Sequence, residues 1–379
     1  MRGLMMGIFV GLISIFAQAK PEVRGLRVDP SYFYKLYPRV SAAHIATDVV
    51  RQAKSANVNT LFLYAYNAHG SFYTTQYPMT EIEIGMGTLN IFSSVYHEAL
   101  KEGLKVVAVI PVNDFKRVWT SKTEWRSKHR NGTDYQPTPA SYLLSAWHPE
   151  FRHWLQGFVD DLTTKFPALY AVEAVEPTVD NYWRDEADFH PIANQEFFRR
   201  FPQGTLGDDD WKSVRALGLT ELLGLMSERV HFKGIHSAIV HIWPAMEGGN
   251  LFSAQDVSDF IGFNFDDVLN LQGPQKIDII TGEFLWQQWA SEYGSPIFTP
   301  EWSFQAAREF LNFVRHRSFP IIHVEISTWD GKTGPRTPTI EEFQRSLEAI
   351  RDISPGIDVY DHSQISHRDA WSALKGWDK

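Results

Sequence analysis

The chain has 379 residues, 44% of them hydrophobic and 21% charged, with a net charge of -9. This is an ordinary globular composition, and the acidic balance argues against a nucleic-acid binder, which would select a basic stripe. Cysteine is absent, which excludes disulfides, thiolate metal sites and a lipid-attachment cysteine.

Met1–Ala19 reads as a secretory signal, with Arg2 before an apolar stretch from Met5 to Phe16 and a small-x-small site at Ala17-Gln18-Ala19. The apolar stretch is too short to span a bilayer, and nothing later is long and apolar enough either. A secreted or periplasmic bacterial protein is therefore expected, with no membrane span and no nucleic-acid partner.

After the signal, short apolar strands alternate with amphipathic stretches, the pattern of a parallel sheet covered by helices. Arg24–Asp29 is the first predicted strand, and Ala42–Ala56 follows as a helix with Ile45, Val49, Val50 and Ala53 at helical spacing. Asn59–Tyr66 is the second strand, Ile91–Glu102 a helix stopped by Gly103, and Leu104–Pro111 the third strand. His148-Pro149 opens the next helix with proline in its first turn, and Leu169–Val175 is the fourth strand. Trp211–Val230 reads as a helix, Ser237–Trp243 as the fifth strand and Phe260–Phe265 as the sixth. Thr299-Pro300-Glu301 reads as a helix start, which gives Glu301 a structural role. Pro320–Ile326 is then the seventh strand, Thr339–Asp352 a helix and Ile357–Asp361 the eighth strand. The expectation is a single (β/α)8 barrel over residues 20–379, with no linker and no repeat.

In such a barrel the chemistry gathers at the carboxyl ends of the strands. Two glutamates stand there: Glu176, after the fourth strand, and Glu325, in the seventh. Two carboxylates facing each other across a barrel mouth are what a retaining glycosidase needs, one to donate a proton and one to attack the sugar. Asp180 is the alternative to Glu176 as acid. The expected sugar contacts are Arg27, Asp29, Tyr66, Asn67, His69, Asn113, Trp119, Trp183, His241, Trp243, Asn264, Asp266, Trp329 and Tyr360. Each alone has a plainer reading: Asp29 as a turn former, His241 as a core histidine, Asp266-Asp267 as a helix cap. Three long loops, about 67–87, 113–145 and 178–210, carry Phe72, Tyr73, Tyr77, Trp119, Trp125, Tyr135, Tyr182 and Trp183 and are expected to form one wall of an open cleft.

Phosphate-loop, dinucleotide, nucleophile-elbow and zinc-protease motifs are absent. His236 and His241, five apart near a strand, point to opposite faces and cannot chelate together, so neither metal nor cofactor is expected.

The stretch His148-Pro-Glu-Phe-Arg-His-Trp-Leu155 with Phe166–Tyr182 resembles a motif of the family-10-like glycosyl hydrolases, and is similar to the hydrolase domains of bacterial exopolysaccharide enzymes. Val23–Arg27, Asn59–Leu63, Glu98–Val106 and Gly356–Tyr360 resemble other strands and a helix of that group. The group's Asp-Gly at strand four is Tyr170-Ala171 here, and its Asp-Asp-Tyr corresponds to Glu176 or to Asp180-Asn181-Tyr182. A strand-four and a strand-seven glutamate also resemble the wider clan of retaining barrel glycosidases, which implies Glu176 as acid/base and Glu325 as nucleophile. That clan's Asn before the acid is replaced by Val175. The resemblance implies a glycosidase; the open cleft expected from the three long loops suits an endo-acting enzyme on a polysaccharide, and a monomer is expected. A barrel that binds polysaccharide without cleaving it is the alternative.

Overall fold

The computed structural model describes residues 21–31, 33, 40–82, 90–180, 185–326 and 337–377. Eight parallel strands close into a barrel: β1 (Val23–Val28), β2 (Thr60–Tyr64), β3 (Lys105–Ile110), β4 (Ala171–Val175), β5 (His236–Ile242), β6 (Ile279–Glu283), β7 (Phe319–Glu325) and β8 (Gly356–Tyr360). Each pairs with its neighbours in sequence, and β8 closes on β1 with Val23 opposite Gly356.

The covering helices follow their sequence signals. In α1 (Ala42–Ser55) the Ser41 side chain accepts a bond from the His44 backbone, and Ile45, Val49, Val50 and Ala53 form the buried stripe. The next helix, α2 (Ile91–Lys101), precedes β3. Pro149 starts α3 (Pro149–Lys165), which buries Phe151, Trp154, Leu155 and Phe158. Two further helices, α4 (Asp209–Phe232) and α5 (Ala254–Ile261), flank β5. In the turn before α6 (Trp302–Val314), Thr299 Oγ1 accepts a bond from the Trp302 backbone, and Glu301 is exposed and paired with Arg345 at 3.0 Å. A reciprocal Thr339–Glu342 cap opens α7 (Ile340–Arg351), and α8 (His362–His367) follows β8.

One expectation fails. Phe260–Phe265 is not the sixth strand: it is the end of α5, a turn and the start of a short helix, Phe265–Leu269. Gly262 ends α5 at φ +69° and Asn264 caps the next helix by accepting from the Asp266 and Asp267 backbone, so this apolar run is punctuated by two helix-terminus signals. The sixth strand is Ile279–Glu283, beyond that helix.

Side chains alternate between the barrel interior and the helical layer. The interior has two levels. At the amino ends of the strands Val23, Phe62, Val107, Ala171, Ala238, Ile279 and Ile321 form an apolar plug. Gly25 leaves the room above it, since a Cβ there would lie 2.5 Å from the Phe62 ring and 2.8 Å from Asp358 Cβ. Over the plug lies a buried ionic layer. Arg27 bonds Glu173 through both terminal nitrogens, at 2.7 and 3.1 Å, and its Nε lies 2.6 Å from Asp358, whose other oxygen meets His323 Nδ1 at 2.8 Å.

Candidate active site

Above the ionic layer, at the carboxyl ends of the strands, a cavity of about 170 Å³ is lined by Tyr64, Val175, Glu176, Glu283, His323, Glu325 and Tyr360. The pleat explains the gathering. His323 and Glu325 are two apart on β7 and both face inward, and Glu283 pairs in register with His323 across the β6–β7 ladder and with Ile242 across β5–β6. Glu176 follows β4 directly, with its backbone N–H on Val240 of β5 at 2.9 Å and its φ at +40°, a left-handed conformation that a non-glycine residue adopts at a cost. The backbone turns there, where the chain leaves the sheet for Pro177.

Burial pushes the Glu283 carboxyl well above its ordinary range, the Glu176 charge adds to this, and Glu325 contributes further; Arg27 opposes them. His323 is held below the usual imidazole range by burial, with Asp358 pulling the other way, so the ring is neutral near pH 7. With Nδ1–H donated to Asp358, Nε2 is left as the acceptor on the cavity side. Asp358 stays below the ordinary carboxylate range: burial alone would raise it, and Arg27 and His323 outweigh that.

A second cavity, of about 280 Å³, shares Tyr64, Val175 and Glu176 with the first and continues over Tyr66, Asn67, Asn113 and Asp114. Asp114 is pushed up to about 7 by burial, against one bond from the Tyr142 backbone. The two cavities together make an elongated depression with Glu176 at the join.

The expected residues divide into groups. Glu176, Glu325, Tyr360, Tyr66, Asn67 and Asn113 all line the depression; the Asn113 side chain also donates to Thr178 O at 2.6 Å. Asp29 bonds the Ser31 backbone and hydroxyl, a turn at the rim, and burial raises its carboxyl. Trp183 and Trp329 lie outside the described residues, as do Asn181, Tyr182 and Asp330.

The others are placed elsewhere by the structure. Arg27 is one level too deep and fully engaged with Glu173 and Asp358. His241 points outward into the helical layer, stacked on Phe263 at 4.3 Å with both ring nitrogens on backbone carbonyls, the core histidine of the plainer reading. Trp243 also points outward, stacked on Phe265 at 4.4 Å. Asn264 is a helix cap, and Asp266 pairs with Arg317 at 2.6 Å in the turn leading into β7. His69 packs its ring against Tyr142, and Trp119 lies under Arg126 at 3.7 Å. Asp180 is buried, with Tyr135 Oη, the Glu186 and Ala187 backbone and Arg215 donating to it, a clamp for its own loop.

The expected aromatic wall is not there among the described residues. Phe72, Tyr73, Trp125 and Tyr135 are buried, and the Tyr77 hydroxyl bonds Trp154 O at 2.7 Å: these rings fasten the loops to the barrel. Glu283 is the residue that sequence reasoning missed. A correct sixth strand, found from the Gly262 and Asn264 punctuation, would have put it at a strand end.

The fold is shared with solved glycosidases. An alpha-L-fucosidase from Paenibacillus thiaminolyticus superposes with a TM-score of 0.58 at 12% identity, over 93% of this chain and 48% of that one. An endo-1,4-beta-mannanase from Rhizomucor miehei matches at 0.54 and 12%, over 89% of this chain and 85% of that one. A beta-N-acetylhexosaminidase from Bacteroides fragilis matches at 0.54 and 12%, over 93% and 65%. This chain thus spans about half the length of the fucosidase. No protein-family model matches the sequence, and no curated protein matches it.

Proposed function

We propose that the protein is a glycoside hydrolase that cleaves a polysaccharide by a two-carboxylate mechanism. The observation that carries this reading is that Glu176 and Glu325, from opposite parts of one barrel mouth, line the same small cavity. In the retaining form, Glu325 attacks the anomeric carbon as Glu176 protonates the departing oxygen, and Glu176 then activates the water that releases the sugar. Asp180 is a poor acid, because its oxygens already accept from two backbone N–H groups of its own loop, from Tyr135 and from Arg215 on α4. The larger cavity extends the depression beyond Glu176, which favours an endo-acting enzyme that takes sugars on both sides of the scissile bond. Similarity of fold to glycosidases and the family-10-like motifs support the same class, as does the predicted export signal, which would bring the enzyme to a cell-wall or exopolysaccharide substrate.

The test is a panel of purified polysaccharides scored for new reducing ends, with Glu325→Gln as control. Cleavage of at least one polymer by the wild type and its loss in the variant are expected. Affinity for a polymer without cleavage would establish the binding-barrel alternative.

A further inference from the structure

We propose that Glu283 is a positioning residue that shares one proton with Glu176, so that the acid of the reaction is a carboxyl pair. This rests on the glycosidase reading for its catalytic consequence, though not for the existence of the pair. The geometry comes from β5. Glu176 hangs from one edge of that strand through its bond to Val240 O, and Glu283 from the other, where its carbonyl accepts from the Trp243 N–H at 3.1 Å. Both side chains turn inward over β5 and line one cavity of about 170 Å³, where each feels the other's charge. Two carboxyls in that relation cannot both ionise cheaply, and one proton belongs to the pair as a unit.

The surroundings keep it there. On β7 stand Glu325 and a neutral His323, on β4 Glu173, on β2 Tyr64, on β8 Tyr360 and Asp358, and on β5 the uncharged Ile242. The nearby cation, Arg27, is bound to Glu173 and Asp358. Glu283 is 7% exposed, so water screens these charges weakly.

The arrangement also explains when the proton leaves. Before reaction the pair carries one negative charge and Glu325 another. As the glycosidic C–O bond breaks, its electron pair departs with the oxygen, that oxygen takes the proton through Glu176, and Glu325 closes a bond to the anomeric carbon. The glycosyl ester is neutral and the pair now holds both charges, so the total is unchanged. Loss of the Glu325 charge removes one of the influences that held the proton. Water then attacks the ester, its proton returns to the pair, and Glu325 leaves as carboxylate.

Two measurements test this. Carbon-13 NMR of glutamate carboxyls, which needs no turnover, is expected to show one group in the wild type that keeps its proton well above the ordinary range of about 4. That resonance should vanish in Glu283→Gln and move down in Glu176→Gln. In the active enzyme, Glu283→Gln should shift the basic limb of the kcat/KM profile down by about one pH unit or more, a change that mere loosening of the barrel would not give. If no such resonance exists, or if it survives Glu283→Gln unchanged, the pair is refuted whatever the enzyme cleaves. If the resonance behaves as expected and no polysaccharide is cleaved, the glycosidase reading fails and the pair stands.

Discussion

Arg27 and Glu173 face each other across the barrel in a bidentate ion pair, Nη1–Oε2 2.7 Å and Nη2–Oε1 3.1 Å, with neither side chain open to solvent. The pair is the floor beneath the candidate site. Replacing Arg27 by Met leaves Glu173 and Asp358 buried without their cation, and should cost about 3–5 kcal/mol in denaturant unfolding. Adding Glu173→Gln should recover part of this. A loss below about 1 kcal/mol, the worth of a solvated pair, would mean the layer is wet.

Asp180→Asn tests the clamp. The amide turns an NH2 toward groups that are themselves donors, and one buried acceptor is lost beside Arg215. Stability should fall by about 3 kcal/mol while the folded fraction keeps its turnover and its pH profile. An unchanged unfolding curve with a lost basic limb would return Asp180 to the mechanism.

Trp119→Ala should act on the fold and not on the substrate. The ring is covered by the Arg126 guanidinium at 3.7 Å and meets Tyr142 edge-on at 5.8 Å. The expected result is a stability loss of about 2 kcal/mol with unchanged polymer affinity. Weaker binding with an unchanged melting temperature would restore the tryptophan to the cleft.

His362 should make stability sensitive to acid. It is buried between Phe33 and Trp371, and burial pushes its imidazole down to about 4. A folded pKa below the unfolded value of about 6.5 means that folding favours the neutral ring. Its contribution is fully present above pH 6.5 and is lost as pH falls through 4. Asp361, pushed up to about 7 by burial, has the opposite sign: its contribution is full below about 4 and is lost as pH rises through 7. His362→Gln should therefore lose about 3 kcal/mol less than the wild type between pH 6.5 and 4. Parallel denaturation curves for the two proteins would show that the ring is not held neutral.

Most of the barrel was legible because its strands are short apolar runs between amphipathic stretches, and these two periodicities are hard to confuse. The sixth strand was not. Phe260–Phe265 is as apolar as a strand, and its nature is decided by Gly262 and Asn264, while the true strand Ile279-Ile-Thr-Gly-Glu283 is brief and half polar. Its polarity is the ionic layer seen from β6: Thr281 lies 3.4 Å from Glu173 and Glu283 faces the cavity. The candidate site was legible where a carboxylate ends a strand: Glu176 and Glu325 line one cavity. It was misread where period 2 alone decides orientation, since His241 and Trp243 sit on the outward parity of β5 and its extension. Nor does one dimension distinguish Arg27, a level too deep, from a residue that lines the mouth.

The apolar plug at the amino ends of the strands makes the barrel a vessel with one opening. Glu283 and His323 face the cavity at that opening. Under the proposed function, a polymer lying across that mouth would be a stopper as well as a substrate, and while it stayed the hydrogens inside would be shielded from exchange with the bulk. If the protein turns over such a polymer, label from deuterium oxide would enter between one departing polymer strand and the next, so that isotope wash-in would run at the pace of product release.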